Sequence, residues 1–227
     1  MRDSREKILA AAREASAAAP VDAAEKQALD DDIASAIEAV TPPSDKGMRA
    51  QFAEELAKVS AEFISAVDQK DAAEKIVAIM KEVSGTELAI TGEVETVSVA
   101  NKVSELDHSI KTTQALDLVS EERKNRLADI PIALTKAAFA VSDMGSLVFL
   151  YDTSRTSQPY FLSDCVIVLV SSDDLVANHF DLLKIIDPQA AKNMVFVTGP
   201  SRTADIEKIL ILGAHGPRRL VVLLLEK

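Results

Sequence analysis

Leu220–Leu225, LVVLLL, is an apolar run with no polar alternation. A strand with one wet face alternates apolar and polar residues; one without alternation is covered on both faces, as in a parallel sheet packed between layers. Upstream, Met194–Val197 is a second short run, containing Val and Phe and closed by Thr198-Gly199-Pro200. Between the two, the pattern predicts a helix from about Thr203. Asp205 and Glu207 stand near its positive end, Ile206, Ile209 and Leu210 form its buried stripe, and Gly213 stops it. Strand, helix and strand in that order predict parallel neighbours or near-neighbours with a right-handed crossover. Loops at the carboxyl ends of such strands are where open α/β sheets bind ligands.

The rest of the chain fits the same class. Asp3–Ala19 and about Val21–Val40 read as two helices, and Thr41–Gly47, TPPSDKG, as a linker. The division is therefore 1–47, an N-terminal helical arm, and 48–227, an α/β domain. Helix is predicted at Met48–Lys58, from Asp71 to Gly85 with Asp71-Ala-Ala-Glu74 as a capping box, and at Val94–Leu106, Ser120–Ile130 and Asp173–Ile186. Strand is predicted at Ala61–Val67, Glu87–Ile90, His108–Thr113, Ala138–Val141, Ser146–Leu150 and Cys165–Val170. The spacer SDMG makes the fourth and fifth of these a hairpin. Tyr151–Ser163 reads as a surface loop. Strands alternating with helices predict a largely parallel sheet.

Charge and cysteine content remove several functions. A net charge of −11 disfavours nucleic acid, whose phosphates need clustered Lys and Arg, and disfavours anionic membrane surfaces. The single cysteine, Cys165, excludes an internal disulfide and a cluster held by four of the chain's own thiolates. His108, His179 and His215 have no metal-site spacing, so no metal is expected. No run reaches the length of a membrane span and the start has no apolar signal core, which predicts a cytoplasmic protein.

The loop Thr198–Thr203 is the leading site candidate. Gly199 lets backbone approach a ligand closely. Ser201 and Thr203 offer hydroxyls, one of them to cap the predicted helix, and Asp205 belongs to its first turn. Amides at that helix start suit an anion. Arg202 could add a charge-assisted bond of about 1.5–3 kcal/mol, against about 0.3–1 kcal/mol from the helix dipole. Arg202 would thus decide the affinity for a small carboxylate or phosphate. Alternatively it bonds Asp205 or another carboxylate and only locks the loop. His215, before Gly216-Pro217-Arg218-Arg219, falls at the start of the last strand, opposite the carboxyl edge; a structural hydrogen bond and a catalytic role both remain open. Arg218 and Arg219 are solvated or pair with an acidic partner. Thr91-Gly92, at a strand end, is a further ligand turn.

GPSRTADIE (Gly199–Glu207) followed by LGAHGPRRL (Leu212–Leu220) resembles the C-terminal signature of the LutC/YkgG family, the LUD-domain lactate utilization proteins. The resemblance extends upstream to about Phe52. It implies a three-layer fold related to the glucosamine-phosphate deaminase (NagB), ribose-phosphate isomerase (RpiA) and CoA-transferase group. It also implies a system that oxidises L-lactate to pyruvate with two partners, one cysteine-rich and one carrying iron–sulfur clusters. SDMGSL (Ser142–Leu147) stands where the family has an acidic-Thr-Gly-Thr pattern, with Asp143 for Glu, Met144 for Thr and Ser146 for Thr around Gly145. Related CoA-transferases place a nucleophilic Glu in such a turn; for Asp143 the alternative is an Asx-type turn. Arg155 falls where relatives have Arg, but FLSDCVIV departs from the Pro and His usual after it.

Three functions follow as expectations. The chain is an accessory, small-anion-binding subunit of lactate utilization that binds no cofactor itself, since it has no dinucleotide or flavin fingerprint. Alternatively it is a stand-alone isomerase or CoA-transferase-like enzyme using Asp143 or another carboxylate close to Arg202. Or it is a structural assembly subunit with an exposed apolar patch.

Overall fold

The computed structural model describes Lys7, Ile8, Ala24, Gln27, Ala28, Asp31, Asp32, Ser35 and residues 47–226, except 153–155, 188–192, 205–209 and 213–215. For 202–204 and 210–212 it describes the backbone only. The chain divides into two compact units, Met1–Pro43 and Ser44–Lys227. The described residues of the first unit are helical, and there the Gln27 amide donates to Asp31 at 2.9 Å.

The second unit is built on six parallel strands: β1 (Glu62–Ala66), β2 (Glu87–Ile90), β3 (Lys111–Gln114), β4 (Ile132–Lys136), β7 (Cys165–Ser171) and β12 (Arg219–Leu225). Their order is β1-β12-β7-β4-β2-β3. The last strand therefore lies inside the sheet, with Glu62 opposite Val221 on one side and Cys165 opposite Arg219 on the other. Its unbroken apolar run has the expected cause. Leu220, Val222 and Leu224 join one core and Val221 and Leu223 the other, all buried.

Helices α2 (Gln69–Glu82) and α3 (Val94–Leu106) cover one face, burying Ile76, Met80, Val99 and Val103. The other face is covered by α1 (Met48–Lys58), α4 (Ser120–Ala128), α5 (Gln158–Leu162) and strand β6 (Ser146–Tyr151), through Phe52, Leu56, Leu127, Tyr160, Leu147 and Phe149. This is a three-layer α/β fold. A second, four-stranded sheet has the order β8-β5-β6-β9, with β5 at Phe139–Val141, β8 at Leu175–Val176 and β9 at Asn193–Val197. The helix α6 (His179–Ile185) packs on it through Leu182.

Several elements depart from the sequence reading. Where the sequence predicts a helix from Thr203, the described backbone is strand: β10 (Arg202–Ala204) pairs antiparallel with β11 (Leu210–Leu212), Arg202 opposite Leu212, while residues 205–209 of the expected helix lie outside the described residues. Thr203 and the run Leu210-Ile211-Leu212 have β-favouring side chains, and short apolar runs do not separate strand from helix by period. The strands flanking this segment are not parallel neighbours: β9 pairs antiparallel with β6, outside the main sheet.

The helix expected over Asp173–Ile186 is a tight turn, β8, and then α6, which starts where the Asn178 side chain accepts from the Asp181 amide at 2.9 Å. The loop expected over Tyr151–Ser163 contains α5, with Pro159 in its first turn. The capping box lies three residues earlier than expected. Asp68 accepts from the amides of Lys70 and Asp71 at 2.8 Å, and Asp71 accepts from Val67 at 2.9 Å. Strand β3 starts at Lys111, not at His108.

Candidate functional site

Two glycine turns converge on the last turn of α1. Gly145, between β5 and β6, has φ 61°; a Cβ there would lie 2.8 Å from Glu55 Cβ and 3.0 Å from the backbone of Glu55 and Leu56. Gly199, after β9, has φ 88°, and its Cβ would lie 2.8 Å from Val59 Cβ. Each turn needs a residue free to take positive φ and with no side chain to clash. The antiparallel β6–β9 pairing brings the two together, and the hydroxyls of Ser146 and Thr198 are hydrogen-bonded.

The loop beyond Gly199 then meets the start of β12. The Ser201 amide donates to the Pro217 carbonyl at 2.8 Å, and Gly216 packs on Ser201, where a Cβ would lie 3.3 Å from Ser201 Cβ. Thr198, Gly199, Ser201, Gly216, Tyr160 and Phe161 line a hollow of about 250 Å3. The structure thus gathers Ser146, Gly199 and Ser201, and brings the segment beginning at Gly216 to them. The start of the last strand, expected opposite the carboxyl edge, is close to this loop, because the loop itself sits at the amino end of β12. For the same reason it does not lie at the carboxyl edge of the parallel sheet, as the sequence suggested. Arg202 and Thr203 are in β10, so the anion site built on a helix start has no helix there. The side chains of Arg202 and Thr203, and all of Arg155, Asp205 and His215, lie outside the described residues.

Asp143 sits in the β5–β6 turn, its amide donating to the Ala177 carbonyl at 3.1 Å. Its carboxyl Oδ1 is buried without a hydrogen-bond partner, as are the Ser142 hydroxyl and His179 Nδ1. Burial raises the Asp143 pKa above the usual carboxylate range, and the Glu55 and Asp181 charges add to this while His179 opposes it. Arg219 is no free cation. It bonds both oxygens of Glu62, at 2.6 and 2.8 Å, and reaches Glu82 at 3.0 Å. Arg218 lies 3.5 Å from Asp164.

At the other end of the sheet, the carboxyl edge carries groups the sequence reading missed. Lys136, the last residue of β4, donates to Glu95 at 2.6 Å, and this bond holds the Glu95 carboxyl below its usual range. Lys136 lines two hollows, of about 290 and 210 Å3. Glu93, Phe139, Tyr151 and Asp174 share the larger. The signal available was Lys136 closing the apolar run of Ile132–Leu134, a charge where a buried strand surfaces. Beside it, the Thr91 hydroxyl is buried without a partner. Among the described residues no group of three His, Cys, Asp or Glu could hold a metal ion, and no helix is long and apolar enough to cross a membrane.

The sequence profile of the LUD domain matches residues 49–225. A protein named lactate utilization protein C from Bacillus pumilus is 27% identical over 114 residues, 47% of this chain and 48% of that protein. The chain thus spans about half the length of such curated relatives. The protein YkgG of Escherichia coli is 23% identical over 188 residues, covering 78% of this chain and 77% of YkgG. The crystal structure of a DUF162 family protein from Deinococcus radiodurans superposes with a TM-score of 0.57 at 19% identity, covering 81% of this chain and 99% of that one. This last likeness is one of fold.

Proposed function

This chain belongs to the LUD domain family, and on that premise we propose that it serves a lactate-utilization system. Its place there is as an accessory subunit in the oxidation of L-lactate to pyruvate, in the cytoplasm, beside a cysteine-rich protein and one carrying iron–sulfur clusters. Several of its relatives bear the name lactate utilization protein C. Its own part is to hold a small carboxylate at Gly199, Ser201 and Arg202, on the loop that the Ser146–Thr198 bond ties to the Gly145 turn.

The observation that supports this best is that the Gly199 turn and the Gly216 segment meet on one hollow, with the Gly145 turn tied to them through the Ser146–Thr198 hydrogen bond. Electron transfer falls to the partners in this reading. Calorimetry with lactate, pyruvate and CoA tests it: heat of binding with one of them, weakened at least about tenfold by Arg202→Ala, is the expected result. No heat with any of the three removes the ligand role.

A specific observation favours an assembly contact as part of the same role. Met194 and Phe196 are exposed on β9, an edge strand of the four-stranded sheet, and Phe161 is exposed beside the same hollow. A partner covering this edge would give co-purification that Phe196→Glu abolishes while the thermal midpoint stays unchanged. The enzyme reading keeps one support. Asp143, whose carboxyl Oδ1 is buried without a hydrogen-bond partner, lies on the turn before Ser146, which bonds Thr198.

A further inference from the structure

β1 is an outer strand of the six-stranded sheet, and among the described residues no strand pairs with its free side. The Ala66 carbonyl accepts from the Glu226 amide, just past β12, at 2.8 Å, so Ala66 faces β12. Main-chain groups of successive strand residues point to opposite sides, so Glu62 and Ile64 also face β12, whereas Phe63 and Ser65 face away from it. The outward amides on either side are occupied: Ala61 donates to the Leu56 carbonyl at 3.0 Å, and Val67 to the Asp71 carboxylate at 2.9 Å. The free edge thus presents four main-chain groups, the N–H and C=O of Phe63 and of Ser65.

Sheet edges are normally blunted by charge, by proline or by a covering element. The far edge, β3, is Lys-Thr-Thr-Gln. Phe63-Ile64-Ser65 has no such device. The charges beside it are spent: Arg219 bonds both oxygens of Glu62, and Arg49 donates to Ser65 Oγ at 2.5 Å and pairs with Glu226. An edge without bare carboxylates can meet another acidic surface, which matters because the chain itself carries a net charge of −11.

We propose that β1 pairs antiparallel with β1 of a second copy of this chain, about a two-fold axis through Ile64. Of the two-fold registers, this one alone uses all four outward groups, because each Phe63 exchanges both main-chain bonds with a Ser65 of the other copy. Centring on Phe63 or on Ser65 would bring the occupied amides of Ala61 or Val67 into the ladder. The chosen register also sets a large side chain against a small one, with the Arg49 guanidinium at Ser65 beside the other copy's Phe63 ring. The axis is normal to the sheet, so α1 of both copies lies on the same face. There a hollow of about 450 Å3, lined by Gly47, Met48, Arg49, Ala50, Ala53 and Phe63, leaves room for the second helix. A stable dimer buries about 1,600 Å2, more than two short strands supply, so this hollow and the exposed Met48 and Val67 complete the contact. The inference does not rest on the lactate-utilization role, and it leaves the β9 edge free for another protein.

Sedimentation velocity of the full chain should show a concentration-dependent shift to twice the chain mass. Ser65→Pro removes an outward N–H that takes no part in the β1–β12 ladder, a position where an edge strand accepts proline. It deletes two main-chain bonds per dimer, so the dissociation constant should rise about tenfold or more. Cross-linking reads the register. Ile64→Cys puts two thiols across the axis, with Cα atoms about 4.5 Å apart, within disulfide reach, and mild oxidation should give a covalent dimer. Ser65→Cys puts them on a diagonal of about 7–8 Å, too far to bridge, and should give none. The buried Cys165 takes part in neither. Phe196→Glu, on β9, should leave the dimer intact, and far-ultraviolet circular dichroism confirms that each variant is folded.

A monomer at every concentration, a dimer unaffected by Ser65→Pro, or cross-linking by Ser65→Cys and not by Ile64→Cys would overturn the pairing. A dimer lost in Phe196→Glu but kept in Ser65→Pro would overturn it too, and would place the contact on β9. So would a monomer whose Phe63 and Ser65 amides resist hydrogen exchange, since the edge would then be covered within the chain.

Discussion

Two carboxyls illustrate how residue environment sets opposite responses to pH. Burial raises the Asp143 pKa, so the folded state holds that proton more tightly than the unfolded chain. Its contribution is therefore most favourable at low pH and is lost as pH rises through the folded value. Asp143→Asn should raise the thermal midpoint near neutral pH and leave it unchanged well below the usual Asp value of about 3.9; a gain persisting at low pH would rule out ionisation as its cause. Glu87 is the reverse case. It accepts bonds from Arg126 and Thr113, and the Arg126 bond above all holds its pKa down. Its contribution is present above the unfolded pKa and disappears as pH falls through the folded one, so Glu87→Gln should destabilise at neutral pH and not in acid. Cys165 shows burial acting on a thiol, pushed up to about 11. A thiol reagent at neutral pH should label it only after denaturant is added; rapid labelling of the native chain would contradict its burial in β7. The types of these residues were in the sequence. Their shifts were not, because each depends on groups far away along the chain, such as Arg126 at Glu87.

Among the elements, the turns carry the most exacting constraints. Gly145→Ala must place a methyl at positive φ and against the backbone of Glu55 and Leu56, neither of which can yield cheaply. The expected cost is about 1–3 kcal/mol, read as a lowered urea midpoint with an unchanged slope. Gly92 is a control: the nearest atoms to its Cβ are 3.7 Å away and its φ is not positive, so Gly92→Ala should be close to neutral. The helix α1 was legible to its ends because Phe52 and Leu56 keep one period and Gly47 precedes it. The Thr203 segment was misread because Ile and Leu spaced for a helix stripe also include a run able to pair as strand. The Asp68 cap was missed because two acidic residues, Asp68 and Asp71, both suit an N-terminus, and only the bonds show which caps and which reaches back.

At the level of the whole molecule, the sheet closes only when its last strand arrives. β12 bonds to β1 on one side and β7 on the other, so without it the strand nearest the amino end of this unit has no neighbour in the sheet. Deleting residues 219–227 also removes Leu220, Val222 and Leu224 from one core and Val221 and Leu223 from the other. Each buried side chain of this size stabilises by about 1.5–3 kcal/mol, and a domain's net stability is only about 5–15 kcal/mol. The shortened chain should show no cooperative unfolding transition; a sharp one would mean that β1 and β7 can close without it. The milder change Leu223→Ala should cost about 2–5 kcal/mol and keep the transition two-state.

Hydrophobic period alone determined the α/β class, the parallel character of the sheet and most strand positions, because burial on one face or two is written locally as alternation or its absence. The β5–β6 turn and the Gly199 loop were also visible, since glycine marks unusual backbone wherever it occurs. Which of these turns meet was decided by tertiary structure: Ser146 reaches Thr198, and Gly216 reaches Ser201, through strand pairings between distant segments. Lys136 was hidden for the same reason. A lysine after an apolar run is ordinary in sequence, and only the packing of β4 inside the sheet gives it a cleft on either side.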